Sequence, residues 1–260
     1  MKGNSLPVRL LVPSGAIHTC VPLARSADEA VAEADLIVSA VTAAQDVTAA
    51  KTVAGGLRKG AFFLDFNSAS PEAKKRSAEI VNGAGGRYVE AAVMAPIGPK
   101  RIATPMLLGG PHAEAFLPLG REAGFSGMSF FSADYGKASA AKMCRSVMVK
   151  GIEALLTESL ISARHYGVEQ TVLDSLSDLF PLGDWPKLAR YMISRALEHG
   201  TRRAEEMREV AQTVADAGLT PLLSSATAER QDWAAARKSA LDAETLPDLL
   251  DRLLAMRNDP

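Results

Sequence analysis

Short, continuous apolar segments recur through the first half of the chain and mark candidate strands. Three have strand length, at residues 36–41 (LIVSAV), 61–66 (AFFLDF) and 87–93 (RYVEAAV), and residues 105–110 (PMLLGG) form a fourth candidate. Apolar runs of roughly four to eight residues, rich in β-branched and aromatic side chains, are typical of buried strands. Because helix-forming stretches separate these runs, the pattern predicts parallel β-α-β units with helices on both faces of the sheet.

Capping residues mark two helix starts in this half. Ser26 stands three residues before Glu29, which is the arrangement of a capping box. Ser70 precedes Pro71 and the amphipathic stretch EAKKRSAEIV, so a hydroxyl is followed by a proline at the first helical position. We therefore expect helices to begin directly after Ser26 and Ser70.

The second half of the chain has a helical pattern almost throughout. Residues 137–165 contain no proline and only one glycine, and a helix of about 28 residues would be roughly 42 Å long. Five further helices are predicted, at residues 171–180, 185–198, 201–217, 221–234 and 246–256. The expected fold is α/β: a truncated Rossmann-like parallel-sheet domain over residues 1–133, joined by a long helix to an all-α domain over residues 134–260.

Composition argues against several classes of function. The 29 Lys and Arg residues nearly balance the 30 Asp and Glu residues, so there is no global basic field to recruit nucleic acid or anionic lipid. Cys20 and Cys144 have neither metal-ligand spacing nor a disulfide framework. No apolar run reaches membrane-spanning length, and Pro7, Arg9 and Pro13 interrupt any signal-peptide core. We expect a cytoplasmic protein with no metal, nucleic-acid or membrane partner.

The residues directly after the three predicted strands are candidate ligand contacts, because a doubly wound sheet binds ligands beyond the carboxyl ends of its strands. Most are small or carry a hydroxyl group: Thr42-Ala43-Ala44, Asn67-Ser68-Ala69-Ser70 and Met94-Ala95-Pro96. Small side chains let a planar cofactor approach the backbone, and Asn67 and Ser68 can hydrogen-bond ribose or amide groups. Plain turn and capping chemistry explains the same residues, so composition alone leaves both interpretations open.

Two motifs resemble the β-hydroxyacid dehydrogenases, a family that includes 3-hydroxyisobutyrate and 6-phosphogluconate dehydrogenases. The first is LDFNSASPEAKKRSAEIVNGAGGRYVEAAVMAPIGPKRIATPMLLGG, and the second is YGKASAAKMCRS. The second resembles the family's catalytic helix, in which a glycine lies six residues before the active-site lysine. Here those positions are Gly136 and Lys142. The helical tail also resembles a C-terminal domain found on a poorly characterised branch of these reductases.

The resemblance implies an oxidoreductase that transfers hydride between NADP or NAD and a small hydroxyacid substrate of the 3-hydroxyacid type. Lys142 would be the general acid/base, taking the hydroxyl proton as hydride leaves and returning it in reduction. A lysine can do this only if its surroundings lower its pKa toward neutrality. Thr42, Ala43, Asn67 and Ser68 would contact the cofactor. A homodimer through the helical domain is also expected.

The chain departs from the family at the expected substrate site. Ser146 stands where the family has an asparagine, one turn after the lysine. Met94-Ala95-Pro96 replaces the family's Ser-Gly-Gly loop, which predicts a tighter and more apolar pocket floor. This argues against specificity for 6-phosphogluconate or 3-hydroxyisobutyrate and against decarboxylation of the substrate. Arg145 fits two interpretations, a bidentate grip on a substrate carboxylate or phosphate and a surface cation. The candidate substrate contacts are therefore Met94, Ala95, Pro96, Arg145 and Ser146.

The glycine-rich motif that holds a cofactor's pyrophosphate, G-x-G-x-x-G after a first strand, does not occur in the sequence. Gly83-Ala84-Gly85-Gly86 follows a predicted helix and precedes a strand, so it lies at the wrong edge of the sheet. Two interpretations remain. One is an oxidoreductase whose gene product begins upstream or whose 5′ region is disrupted. The other is an inactive, non-catalytic fragment that acts at most as a helical dimerising scaffold. The substrate and the choice between NAD and NADP stay undecided.

Overall fold

The computed structural model describes residues 24–179 and 183–257. Pro7, Arg9, Pro13 and Cys20, considered above, lie outside the described residues. The chain divides into two compact units, Met1–Met143 and Cys144–Pro260. The division falls inside a long helix, whereas the sequence pattern places the boundary between residues 133 and 134, before that helix.

Within the described residues, unit 1 contains a five-stranded sheet whose strands lie side by side in chain order. The strands are β1 (Leu36–Ser39), β2 (Phe62–Asp65), β3 (Arg87–Val93), β4 (Met106–Gly109) and β5 (Met128–Ser132). β1, β2 and β3 are parallel, as the apolar pattern predicts. The pattern does not reveal β5, because most of its residues are exposed or only partly buried and leave no apolar run.

Helices cover both faces of this sheet. They are α1 (Ala27–Val31), α2 (Asp46–Ala54), α3 (Pro71–Gly83), the short α4 (Ile97–Lys100) and α5 (Ala113–Glu122). Phe63 and Tyr88 belong to the core on the face of α1, α2 and α3. Phe62 and Leu64 point to the opposite face and pack with Phe116 of α5. The alternation of β2 side chains therefore supplies both cores.

Both predicted helix caps are confirmed. The Ser26 Oγ atom accepts a hydrogen bond from the backbone N–H of Glu29 at the start of α1. Ser70 Oγ accepts from the N–H of Ala73, and Pro71 is the first residue of α3. Each hydroxyl satisfies an amide that has no partner inside its helix.

The direction of β4 corrects the parallel arrangement that the sequence pattern predicts. β4 is antiparallel to β3, and β5 is again parallel to β4. A parallel connection needs a crossover of roughly a dozen residues or more, usually with a full helix. The chain between β3 and β4 holds only α4 and one 3-10 turn (Arg101–Ala103), so it returns beside β3 in the opposite direction.

Unit 2 is helical throughout its described residues. Its elements are the greater part of α6 (Lys137–Tyr166), then α7 (Glu169–Leu179), α8 (Trp185–Asp216), α9 (Leu222–Ala235) and α10 (Leu246–Ala255). Their core is aliphatic, with Leu160, Ile193, Leu250 and Leu253 fully buried. In the described part of the chain, no helix combines the length and the apolar character that crossing a bilayer requires.

α8 is one continuous helix, although the sequence predicts two helices separated near Gly200. Glycine disfavours a helix interior, which explains the predicted break. At this position, however, a Cβ atom would lie 2.4 Å from the carbonyl oxygen of Gln231 and 2.9 Å from the Cβ of Ala235. Gly200 therefore serves the close approach of α8 and α9, and tertiary packing outweighs local propensity.

Candidate active site

The side chains of Lys142 and Ser68 meet in unit 1. Lys142 Nζ donates a hydrogen bond to Ser68 Oγ at 2.6 Å. Lys142 lies in the second turn of α6, and Ser68 lies in the loop that follows β2. Both side chains are only partly buried, so this pair remains accessible to solvent. The residues predicted as the base and as a cofactor contact are thus brought together.

The loops after β1 and β2 lie at the same edge of the sheet, because the two strands are parallel. Thr42 and Ala43 begin a 3-10 turn after β1, with Thr42 exposed and Ala43 buried. The Thr42 hydroxyl does not cap that turn. The backbone N–H of Val41 donates to Oδ1 of Asn67 at 2.7 Å, so the two loops are joined directly.

Asn67 is buried, and its side chain makes three hydrogen bonds. Besides accepting from Val41, it donates from Nδ2 to Ser39 Oγ at 2.9 Å and to Asp46 Oδ1 at 2.7 Å. An amide nitrogen has two hydrogens, and both are used. A direct cofactor contact made by Nδ2 would therefore have to replace one of these two bonds, whereas Oδ1 keeps a second lone pair. In the structure the side chain ties the two loops together.

A buried charged cluster supports these loops. Lys74 Nζ lies 2.7 Å from Asp65 Oδ1 and 3.3 Å from Asp46 Oδ1. Tyr88 Oη donates to Asp65 Oδ2 at 2.6 Å, and Ser77 Oγ donates to Asp46 Oδ2 at 2.9 Å. Buried charges persist only when they are paired and hydrogen-bonded. No sequence motif reveals this cluster; Lys74 stands at one of the buried positions of α3.

The three charges of this cluster have shifted pKa values. Burial raises the pKa of Asp65 to about 7 against the attraction of Lys74. Burial also acts on Asp46, but the charge of Lys74 and several hydrogen bonds outweigh it, and the pKa of Asp46 is lowered. For Lys74, burial is outweighed by Asp65 and Asp46, which raise its pKa. At neutral pH Lys74 and Asp46 therefore form an ion pair, and Asp65 is the group that titrates.

Glu90 on β3 binds the start of α6. Its carboxylate accepts from the backbone N–H groups of Gly136 at 2.6 Å, Ala138 at 2.8 Å and Ser139 at 3.1 Å. The first amides of a helix have no partner within the helix, so this buried carboxylate satisfies them. Gly136 has a φ of 88°, a conformation that favours glycine. This accounts for the glycine six residues before Lys142.

The Gly-Gly pair at the end of β4 makes room for this arrangement. A Cβ at Gly109 would lie 2.7 Å from the Cγ and Oε1 atoms of Glu90. A Cβ at Gly110, where φ is 105°, would lie 2.2 Å from the ring of Tyr135, the residue before Gly136. The sequence signals that could have revealed the anchor are the charged residue inside the apolar run YVEAAV and this glycine pair.

The loop after β3 carries the first three candidate substrate contacts. Met94 and Ala95 are partly buried and Pro96 is exposed. The N–H of Met94 donates to the carbonyl of Pro105 at 2.9 Å, which closes the connection to β4 at its base. These three side chains offer apolar surface without a hydroxyl or a charge. They follow the third parallel strand, so they lie at the same sheet edge as Ser68.

The other two candidate substrate contacts belong to unit 2. Ser146 is buried and its Oγ accepts from Lys150 Nζ at 3.1 Å. Lys150 also pairs with Glu206 at 2.7 Å, and Glu206 pairs with Arg202. Arg145 is exposed and makes no ion pair or side-chain hydrogen bond within the described ranges. The structure thus places Ser146 in a buried polar network and Arg145 on the surface.

The polar network of unit 2 continues along α6. Ser146, Lys150 and Glu153 are spaced by four and three residues, so they share one face of the helix. Glu153 forms a buried ion pair with Arg203 and accepts from Gln231 Nε2 at 3.3 Å. Burial raises the pKa of Glu153 in spite of the nearby charge of Arg203. The sequence signal for this stripe is the regular spacing of polar residues within an otherwise apolar helix.

The loops at the sheet edge present groups that suit a nicotinamide nucleotide. Thr42 offers an exposed hydroxyl, and the methyl group of Ala43 is buried, so no bulky side chain projects from this position. Ser68 adds a second hydroxyl beside Lys142. Among the described residues, no three His, Cys, Asp or Glu side chains come together as a metal site.

Comparison with known proteins agrees with this geometry. Residues 10–116 match the NAD binding domain of 6-phosphogluconate dehydrogenase, and residues 163–234 match a domain of unknown function. No curated protein matches the chain. The sheet unit therefore places the chain among the proteins that bind NAD or NADP.

Several solved structures are similar to this chain. A conserved hypothetical protein from Sinorhizobium meliloti is 35% identical, with 90% of this chain and 80% of that chain covered and a TM-score of 0.67. A conserved protein of unknown function, described as structurally similar to 3-hydroxyacid dehydrogenases, is 27% identical over 84% and 81% of the two chains, with a TM-score of 0.62. The 3-hydroxyisobutyrate dehydrogenase of Mycobacterium tuberculosis, solved with L-serine, shares the fold at 20% identity, with 90% and 84% covered and a TM-score of 0.63. The chain belongs to the β-hydroxyacid dehydrogenase family.

Proposed function

We propose that the protein is an NAD(P)-dependent oxidoreductase that transfers hydride between a nicotinamide cofactor and a small substrate of the 3-hydroxyacid type. The observation that supports this best is the hydrogen bond from Lys142 to Ser68 at the carboxyl edge of the parallel strands. That edge is where a doubly wound sheet binds its ligands, and a base is needed there for alcohol oxidation.

Lys142 is the general acid/base of the proposed reaction. In the oxidation direction, its neutral amine takes the proton of the substrate hydroxyl while the carbon–hydrogen bond breaks. The nicotinamide, when bound, supplies the hydride acceptor. In reduction, the ammonium of Lys142 returns the proton to the newly formed alkoxide oxygen. Ser68 is positioned to hold the Lys142 nitrogen near the cofactor loops, because its hydroxyl accepts from Nζ.

The cofactor loops are assigned roles that follow from their exposure. Thr42 and Ser68 offer hydroxyls for ribose or amide groups, and Ala43 keeps the loop surface small. Asn67 holds the two loops in place, because its buried side chain joins the loop after β1 to the loop after β2.

The substrate contacts in this proposal are Met94, Ala95, Pro96, Arg145 and Ser146. The first three offer apolar surface, which suits the carbon chain of a small hydroxyacid. Ser146 accepts from Lys150, so its own hydrogen can be donated to a substrate oxygen. Arg145 is exposed, which suits a carboxylate of the substrate, since a guanidinium binds a carboxylate in a bidentate manner.

A homodimer through the helical unit is part of the proposal. Met148 and Leu155 are seven residues apart on α6 and are 64% and 68% exposed, and Tyr166 near the end of that helix is 76% exposed. Residues spaced by seven lie on one helix face, so these apolar side chains form a stripe suited to a second copy. The molar mass in solution, measured by sedimentation equilibrium, distinguishes a dimer of 27.5 kDa chains from a monomer.

Thermal denaturation with and without cofactor tests the proposal. NADPH or NADH that binds only the folded state stabilises it, by about 2.7 kcal/mol at a concentration a hundredfold above Kd. This stabilisation raises the melting temperature. We expect a clear rise with one of the two and none with adenosine at the same concentration. Unchanged melting with both nucleotides would argue for the inactive-fragment interpretation.

A further inference from the structure

A row of four residues crosses the sheet at the level where β1 and β2 end. In the strand register Ser39 lies beside Asp65, Asp65 beside Glu90, and Glu90 beside Gly109. Directly paired residues of neighbouring strands point to the same face of a sheet. The buried carboxylates of Asp65 and Glu90 are therefore neighbours on the face covered by α1, α2 and α3.

Asp65 holds the loop that carries Ser68. Its Oδ1 atom accepts from the backbone N–H of Asn67 at 2.8 Å, two residues further along the chain. Lys74 and Tyr88 bind the same carboxyl group at 2.7 and 2.6 Å, so it has little freedom to move. The position of Ser68, the next residue, is consequently tied to the end of β2.

Glu90 holds the helix that carries Lys142. Three backbone N–H groups, from Gly136 to Ser139, donate to its two oxygens. Bonds to several amides of one turn fix both the translation and the rotation of a helix start. A carboxylate at this end is also favoured by the helix dipole. Because Lys142 lies one turn further on, its side chain is aimed by the same contacts.

We propose that Glu90 is a positioning residue of the reaction, which sets Lys142 Nζ against Ser68 while its register neighbour Asp65 sets Ser68. This inference rests on the proposed role of Lys142 as the base. Adjacent positions in one register thus determine both ends of the hydrogen bond. Misplacing a reacting group by about 1 Å costs about 100-fold in rate, so a rigid anchor for the base has a direct catalytic consequence.

Gly109 is the fourth member of the row, and its lack of a side chain supports the inference. The space that a Cβ would occupy is filled by the Glu90 carboxylate, with contacts of 2.7 Å to Cγ and Oε1. A glutamate directed toward solvent would not require this space. Because Gly109 has no side chain, the carboxylate of Glu90 has room to reach the start of α6.

The test compares Glu90→Gln with a matched control, Glu72→Gln. Glu72 is a glutamate in the first turn of α3 that is half-exposed and, among the described residues, pairs with Lys75. Acetylation with a limiting reagent is followed by mass spectrometry, with the exposed Lys137 of the same helix as the internal reference. In Glu90→Gln the labelling of Lys142 relative to Lys137 rises about fivefold, as expected when one hydrogen bond is lost. Glu72→Gln leaves the ratio unchanged.

Kinetics separate positioning from simple loss of folded protein. Relative to wild type, Glu90→Gln lowers kcat about 100-fold with KM within about twofold, because the base moves while substrate contacts remain. If wild type shows no turnover with any hydroxyacid but the labelling ratio still responds, the dehydrogenase proposal fails and the positioning by Glu90 stands. A folded Glu90→Gln protein with unchanged labelling and unchanged kcat overturns the inference.

Two further measurements test the inference if the Glu90→Gln variant does not fold. Gly109→Ala retains the glutamate but displaces its flexible side chain, and it is expected to raise the labelling ratio in the same direction. Hydrogen exchange of wild type needs no variant: the amides of Ala138 and Ser139 are expected to be protected although they have no partner within the helix. Exchange of both at the rate of exposed amides would contradict the anchor.

Discussion

The side-chain nitrogen of Lys142 donates to the hydroxyl of Ser68 across 74 positions of sequence, with 2.6 Å between the two atoms. Ser68 follows a strand in the middle of the sheet, and Lys142 lies on the helix that leaves unit 1. A contact between two such distant segments requires that both be fixed to the same framework. The buried carboxylates of Asp65 and Glu90 provide that framework.

Replacing Asn67 by alanine is expected to destabilise unit 1 and loosen the cofactor loops. The change leaves the N–H of Val41 and the carboxylate of Asp46 without this partner, and an unsatisfied buried group costs about 1–3 kcal/mol. Chemical denaturation should show a loss of at least about 2 kcal/mol. Gln170→Ala is the control, because that amide is exposed and, within the described part of the chain, bonds Asp174. Equal stability of the two variants would contradict the role given to Asn67.

The free energy of unfolding is expected to change with pH because of the titration of Asp65. Its folded pKa of about 7 lies above the ordinary value of 3.8, so between these limits the folded state holds a proton that the unfolded state has lost. The contribution of Asp65 to stability is therefore present below about pH 4 and is lost as the pH rises through about 7.

The comparison with Asp65→Asn isolates this contribution from other titrating groups. The free energy of unfolding of wild type minus that of the variant should fall as the pH rises from about 4 to about 7. Urea denaturation at several pH values measures it. A difference that stays level or increases over this range would mean that Asp65 is ionised throughout.

Glu153→Gln is expected to destabilise unit 2 strongly. The variant leaves the buried guanidinium of Arg203 without its carboxylate, and removing one partner of a buried ion pair costs about 3–5 kcal/mol. Glu158→Gln is the matched control, since Glu158 lies on the same helix, is 68% exposed and pairs with Arg230. A surface pair contributes about 1 kcal/mol or less. Similar midpoints of denaturation for the two variants would argue against a compact buried network.

Gly200→Ala and Gly151→Ala are expected to have opposite effects. At Gly200 the added Cβ would collide with the backbone of Gln231, and overpacking of this kind costs about 1–3 kcal/mol. At Gly151 nothing lies within 4 Å, and alanine in a helix interior is favoured over glycine by about 1 kcal/mol. Melting temperatures of the two variants should therefore move in opposite directions. A rise in both would show that α8 and α9 do not approach closely at Gly200.

Several features of the fold follow from sequence because local chemistry determines them. The apolar runs identify β1, β2 and β3, and the Ser70-Pro71 pair fixes the start of α3. The absence of proline between residues 137 and 165 predicts α6 nearly to its ends. Each of these depends on residues that are neighbours in the chain, so a pattern of fixed period reveals them.

The remaining features depend on contacts between distant segments. The reversed direction of β4 follows from the short connection after β3, and the continuity of α8 follows from its packing at Gly200. The role of Glu90 depends on its register beside Gly109 and on the position of α6. Lys142 could be selected only through the resemblance to a family motif, and its pairing with Ser68, a predicted cofactor contact, required the folded chain.

The turnover of Lys142→Ala tests the central claim most directly. Lys137→Ala is the control, because Lys137 lies on the same helix and is exposed. With the cofactor that stabilises the protein and a hydroxyacid that it oxidises, Lys142→Ala should lower kcat by about 100-fold or more while the cofactor's Kd changes by less than about twofold. Lys137→Ala should retain normal turnover. Wild-type kcat in a folded Lys142→Ala protein would show that Lys142 is not the base.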